Sequence, residues 1–189
     1  MKKVFIALVA LTLALVLLCF AACDKYAGAL QDINTLLKKD YSSVTLNVTT
    51  TTKGVTLEGI YVLTFDGDKT NVEFSYQKLN ELTMDGGESF VSTVTGKAVV
   101  QNGKIVSGDE TLDLPKEYDF NGLSFKQAFF ANYTVTGSKF DADVTNAKGF
   151  VNGDLVCSDM HVTVLYSKTA ISKIALTYLS EKGSEVSIT

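Results

Sequence analysis

The chain has 189 residues, 46 % of them hydrophobic, with one histidine, three cysteines and a formal net charge of -4. All 17 basic residues are lysine and 21 acidic residues outnumber them. An acidic chain without arginine is a poor match for phosphate backbones, which excludes nucleic acid as a partner.

Residues 1–23 read MKKVFIALVALTLALVLLCFAAC. Lys2 and Lys3 precede an apolar run from Val4 to Ala22, broken only by Thr12 and Cys19, and the run ends in small residues and Cys23. A positive start, an apolar core and a small-residue exit are the parts of an export signal. By length alone the run also fits a membrane-spanning helix. Phe20-Ala21-Ala22-Cys23 resembles the lipobox of bacterial lipoproteins, with Phe20 where that pattern usually has leucine. The resemblance implies a signal peptide over residues 1–22, cleavage before Cys23 and lipid on that cysteine. It therefore implies an exported chain, anchored through its N-terminal lipid to a bacterial membrane or cell surface. Residues 23–189 then form one domain, with 15 lysines against 21 acidic groups and enough length for a hydrophobic core.

Of the three cysteines, Cys19 leaves with the signal and Cys23 is modified on this reading. Cys157 remains alone between Val156 and Ser158, so no internal disulfide is expected and the thiol reads as a small buried hydrophobe.

Residues 24–40 predict the one long helix. Tyr26, Leu30, Ile33 and Leu37 recur at steps of four, three and four, with Ala27 and Leu36 widening the stripe. Lys38 and Lys39 fall in its last turn, where positive charge is favourable. From Ser43 the period changes to two. Val44, Leu46 and Val48 alternate with polar residues, then Val55, Leu57, Tyr61, Leu63 and Phe65 share a face, with Gly59 among them. Ile60 and Val62 occupy the other face of that strand, which makes its middle apolar on both sides. Asp66-Gly67-Asp68 predicts a turn before Val72, Phe74 and Tyr76.

Residues 79–84 are ambiguous, Asp85-Gly86-Gly87 ends them, and residues 90–100 are strand-like. Gln101-Asn102-Gly103-Lys104 predicts a hairpin between Val99-Val100 and Ile105-Val106, and Pro115 closes the section. Phe125, Phe129 and Tyr133 lie four apart beside Leu123 and Phe130, which predicts a short aromatic helix within residues 122–133. Phe140, Ala142 and Val144 then alternate, Val151 to Val156 around Asn152-Gly153 predicts another hairpin, and Met160, Val162, Val164 and Tyr166 point one way. Ile174, Leu176, Tyr178, Val186 and Ile188 complete the pattern.

Catalytic chemistry has few carriers. His161, the sole histidine, falls opposite Met160 and Val162 and reads as an outward, solvated side chain with Asp159 as its one candidate partner. That is short of a nucleophile, base and orienter. Asp66, Asp68, Asn71 and Glu73 miss the spacing of a calcium loop. No catalytic residue, metal or cofactor is assigned, and the chain is not expected to be an enzyme.

The expected fold is α+β: a curved, mainly antiparallel, half-barrel-like sheet with one long N-terminal helix and one short aromatic helix. In order and periodicity this layout resembles bacterial lipoprotein carriers and related envelope lipoproteins, which are half-open barrels closed by helices. The arginine that such carriers use is absent here. The resemblance implies a cavity for an acyl chain or another apolar ligand between helix and sheet, with Ile60, Val62, Phe125, Phe129 and Phe130 as candidate lining. The expected function is a non-catalytic, membrane-anchored envelope lipoprotein that binds an apolar small molecule or lipid. A structural, assembly or adhesion lipoprotein with an envelope protein as partner is the alternative.

Overall fold

The computed structural model describes residues 25–66, 69–81, 89–101, 104–107, 110–113 and 122–189. Residues 1–22 and Cys23, the turns expected at Gly67-Asp68 and Asp85-Gly86-Gly87, the tip Asn102-Gly103 and Pro115 lie outside the described residues. Residues 25–37 are helical and form α1. Among the described residues no helix is long and apolar enough to cross a membrane.

Eleven strands follow: β1 Ser43–Thr52, β2 Val55–Asp66, β3 Lys69–Glu81, β4 Ser89–Gln101, β5 Lys104–Ser107, β6 Glu110–Asp113, β7 Phe130–Thr136, β8 Lys139–Val144, β9 Cys157–Tyr166, β10 Ile171–Ser180 and β11 Glu185–Ile188. They form one open antiparallel sheet in the order β6-β5-β4-β3-β2-β1-β11-β10-β9-β8-β7. Two meanders are thus joined back to back. One runs outward from β1 to β6, the other inward from β7 to β11, and β1 pairs with β11 through Val48–Ile188 and Thr50–Val186. We call the halves the N-terminal and C-terminal wings. The hairpin expected at residues 99–106 is present, with Val99 opposite Val106 and Val100 opposite Ile105.

Residues directly opposite each other in an antiparallel pair share a face. Alternation therefore defines one continuous inner face across the sheet. On the C-terminal wing it carries Phe140, Ala142, Val162, Val164, Leu176 and Ile188, all fully buried. Helix α1 lays Tyr26, Leu30, Ile33 and Leu37 into that cluster. The helical stripe is as expected except at Ala27, which is exposed while Ala29 is buried. Asn34 fixes what lies beside the helix: its Nδ2 donates to the Phe125 carbonyl at 2.7 Å and its Oδ1 accepts from the Phe125 N–H at 3.2 Å. At the other end of α1, Tyr41 donates to the Leu36 carbonyl at 3.0 Å and accepts from the Ile171 N–H at 3.2 Å.

Two local expectations are corrected. Residues 122–133 do not form an aromatic helix. Residues 123–126 carry no regular secondary structure, Gln127–Phe129 make one 3-10 turn, and β7 begins at Phe130. The reason is tertiary: Asn34 takes both backbone groups of Phe125, and Phe130 pairs with Val144 on β8. Residues 151–156 do not form a hairpin either. A helical turn, α2 Ala147–Phe150, precedes them, with the Asn146 side chain accepting from Gly149 N–H, and an irregular stretch then leads to β9. Asn152 does adopt the left-handed backbone its turn signal promised, at φ 50°.

Candidate functional site

The N-terminal wing continues the same inner face without the same cover. Cross-strand rows place Val48, Gly59, Tyr76 and Val94 together, then Leu46, Tyr61, Phe74 and Gly96, then Val44, Leu63, Val72 and Ala98. Only Leu46, Leu63, Val72 and Ala98 are buried in this second cluster; Val44, Tyr61, Phe65, Phe74 and Val100 are half-buried around it. Among the described residues, no helix lies in this cluster.

Tyr61, Phe74 and Tyr76 form an aromatic row on this face. Ring centroids are 6.5 Å apart for Tyr61–Phe74, 5.9 Å for Phe74–Tyr76 and 6.4 Å for Tyr61–Tyr76, the last pair within 11° of parallel. Gly96 makes the arrangement possible, because a Cβ there would stand 2.6 Å from Cζ of Phe74. The Phe74 ring therefore lies down over bare backbone rather than standing off the sheet. Burial raises the Tyr61 pKa above the usual tyrosine value, and the neighbouring Tyr76 adds to the effect. This is a surface that presents ring faces and aliphatic carbon with phenol hydroxyls, suited to holding apolar matter.

The five candidate lining residues do not meet in one place. Phe125 and Phe130 are buried and pack edge to face with Phe140 and Phe150, at centroid distances of 5.2 to 5.9 Å. They fill the C-terminal core beneath α1. Phe129 is half-buried at the edge of the same cluster, with the Lys126 ammonium 5.6 Å from its ring centroid. Ile60 and Val62 lie on the other wing and the opposite face, 49 % and 36 % exposed. Period two puts that pair away from Tyr61, Leu63 and Phe65, as observed, but carries no sign that α1 sits over the other wing. Val62 instead borders a shallow, open groove of about 600 Å³ on the outer face, with Thr64, Asn71, Glu73, Lys97, Val99 and Val106. The Lys97–Glu73 ion pair at 2.5 Å crosses its middle strands, so the groove mixes charge with the apolar Val62, Val99 and Val106.

The outer face of the C-terminal wing holds the one histidine, and its expected environment is corrected. His161 is half-buried and directly opposite Asp143 on β8. Its Nδ1 is 2.8 Å from Asp143 Oδ1, and its Nε2 is 3.3 Å from Asp141 Oδ2. Asp159, the partner suggested by sequence proximity, has φ 52° and accepts instead from Ser158 Oγ at 3.2 Å. Asp141 also accepts from Thr163 Oγ1 at 2.6 Å and pairs with Lys139 at 2.9 Å. The Thr163 hydrogen bond, then the Lys139 one, hold its carboxyl at a pKa of about 2. The Asp143 pKa is lowered too, first by His161 and then by Asn132, whose amide donates at 2.8 Å. Thr163 donates to Asp141 and not to the imidazole, so the group lacks the nucleophile-to-base contact of a catalytic triad. Among the described residues no three His, Cys, Asp or Glu side chains are arranged to hold a metal.

Two further side chains are placed. Cys157 opens β9, half-buried and packed against the main core. Tyr26 is buried and stacks on Tyr133 with centroids 3.6 Å apart. Its hydroxyl has no hydrogen-bond partner among the described residues, and burial, then Tyr133, push its pKa up to about 12.

No protein-family model matches the chain, and no curated protein matches it.

Proposed function

We propose that this chain is a non-catalytic envelope or cell-surface lipoprotein, anchored through lipid on Cys23, whose domain binds an apolar, acyl-type ligand on the inner face of its N-terminal wing. One observation carries the ligand reading: the inner face runs unbroken from a core sealed by α1 into a half-buried row of Tyr61, Phe65, Phe74 and Tyr76. A soluble chain leaves so large an apolar row short of full cover where something else covers it. The open eleven-stranded sheet with a helix over one half supports the resemblance to half-barrel carriers. In this reading the sheet curves, and the ligand takes on the N-terminal wing the place that α1 takes on the other. The binding surface is therefore beside the helix rather than beneath it. The alternative, a structural or adhesion module, predicts no ligand at all.

The test is titration of residues 24–189 with a fluorescent fatty-acid probe, alongside native mass spectrometry of the same material. Saturable binding is expected, weakened about tenfold or more in Tyr61→Ala/Phe74→Ala, as loss of two aromatic contacts implies. No saturable signal, or equal affinity in the double variant, would overturn the reading. The anchor is tested separately: Cys23→Ala should release the chain from the membrane fraction and abolish labelling by a fed fatty acid.

A further inference from the structure

A neutral imidazole carries one N–H and one lone pair, whereas the imidazolium carries two donors. Both ring nitrogens of His161 face carboxylate oxygens, Asp143 at 2.8 Å and Asp141 at 3.3 Å. Only the charged ring satisfies both. We infer that His161 is a proton-operated clamp between β8 and β9, engaging both aspartates when protonated and releasing Asp141 when the ring is neutral.

The asymmetry follows from the distances. The shorter contact, Nδ1 to Asp143, retains its proton in the neutral ring and remains a hydrogen bond. Nε2 then turns a lone pair toward the Asp141 carboxylate, and an attraction becomes a repulsion. The groups that set this balance come from each neighbouring strand. On β8 they are Lys139, Asp141 and Asp143; on β9, Asp159 and the uncharged Thr163. From β10 the residue opposite His161 is Thr177, which has no charge, and from β7 Asn132 reaches the second oxygen of Asp143. Asp141 keeps Thr163 and Lys139 after release, so the change is a loosening of the ladder and not its rupture. Both carboxyls have depressed pKa values, so both present a negative charge to the ring.

Asn132 sits at φ 48° in the register shift between Ala131 and Thr134, next to the Tyr133 that stacks on Tyr26 of α1. Because the Asp143–Asn132 link survives, the α1 contact is insulated from the proton while the β8–β9 outer ladder responds to it.

One histidine makes the experiment unambiguous. The full chain in detergent micelles is titrated by NMR between pH 5 and 9, following the His161 ring nitrogens and the side-chain carboxyl carbons of Asp141 and Asp143. Asp141 is expected to step at the midpoint of His161 itself, with a smaller step at Asp143 and none at the Tyr133 ring. Exchange of β8–β9 amides, corrected for intrinsic rates, should rise roughly two- to five-fold across the same step, the scale of one exposed ion pair. In His161→Gln the step disappears. Asp141→Asn removes the charge without the side-chain shape, and its exchange should no longer change with pH. A still Asp141 signal, a step larger at Asp143 than at Asp141, or an unchanged step in Asp141→Asn would overturn the clamp.

Discussion

The two wings share a sheet, a hand of pairing and one inner face, yet they are finished differently. On the C-terminal wing the inward residues Phe140, Val162, Val164 and Leu176 are fully buried, because α1 and the segment held by Asn34 lie over them. On the N-terminal wing equally apolar positions, Tyr61, Phe65 and Phe74, remain half-buried. Alternation gives a strand an apolar face, but only a second layer takes that face out of water. Among the described residues, the wing under a helix is a core, and the other is a surface with core chemistry.

The sharpest way to break this contrast is to truncate one aromatic in each wing. Phe140→Ala should cost about 3–5 kcal/mol in urea unfolding, as for a fully buried phenylalanine. Phe74→Ala should cost about 1–2 kcal/mol, because its ring is half in water. Equal losses would mean that the N-terminal wing is as well covered as the other.

Removing what holds the cover has the next largest effect. Asn34→Ala strips two hydrogen bonds from the Phe125 backbone and should destabilise by about 1–3 kcal/mol. The loss should appear as faster amide exchange around residues 123–130, with the strands β2 to β4 unchanged.

The smallest expected effect is acid sensitivity confined to the C-terminal wing. Asp141 has its pKa lowered from 3.8 to about 2, so its contribution is complete above pH 4 and lost as pH falls toward 2. After allowance for solvent screening this amounts to about 1 kcal/mol or less. Asp141→Asn should unfold with a flatter pH profile over that interval, and a profile as steep as the parent's would contradict the assignment.

Much of the local pattern was legible. The stripe Tyr26–Leu30–Ile33–Leu37 and the alternation through β2, β3, β9 and β10 fixed element types and inward faces, because burial on one side leaves a period in the chain. What was not legible is what depends on partners far away. Phe125, Phe129 and Tyr133 have helical spacing, yet the side chain of Asn34, 91 positions from Phe125, decides their backbone. Proximity in sequence pairs His161 with Asp159, whereas its partner in the fold, Asp143, is set by the register of β8 on β9. Ile60 and Val62 were assigned the right face of β2, but no residue near them reports that α1 covers the other wing. The aromatic row likewise depends on the register that sets Gly96 opposite Phe74 and Gly59 opposite Tyr76, which no local pattern reports.

The pairing of β1 with β11 joins Asn47 to Thr189 by hydrogen bonds of 2.8 and 2.9 Å in both directions. Each meander can zip from local turns, but this junction must close across almost the whole domain, and such distant pairing is slow. A chain that emerges N-terminus first therefore makes β1 long before its second neighbour exists. Until then β1 is a ten-residue strand with one unpaired flank, the kind of template that recruits other chains. The run of four threonines at its end, Thr49 to Thr52, keeps that waiting flank polar just where β11 will later dock.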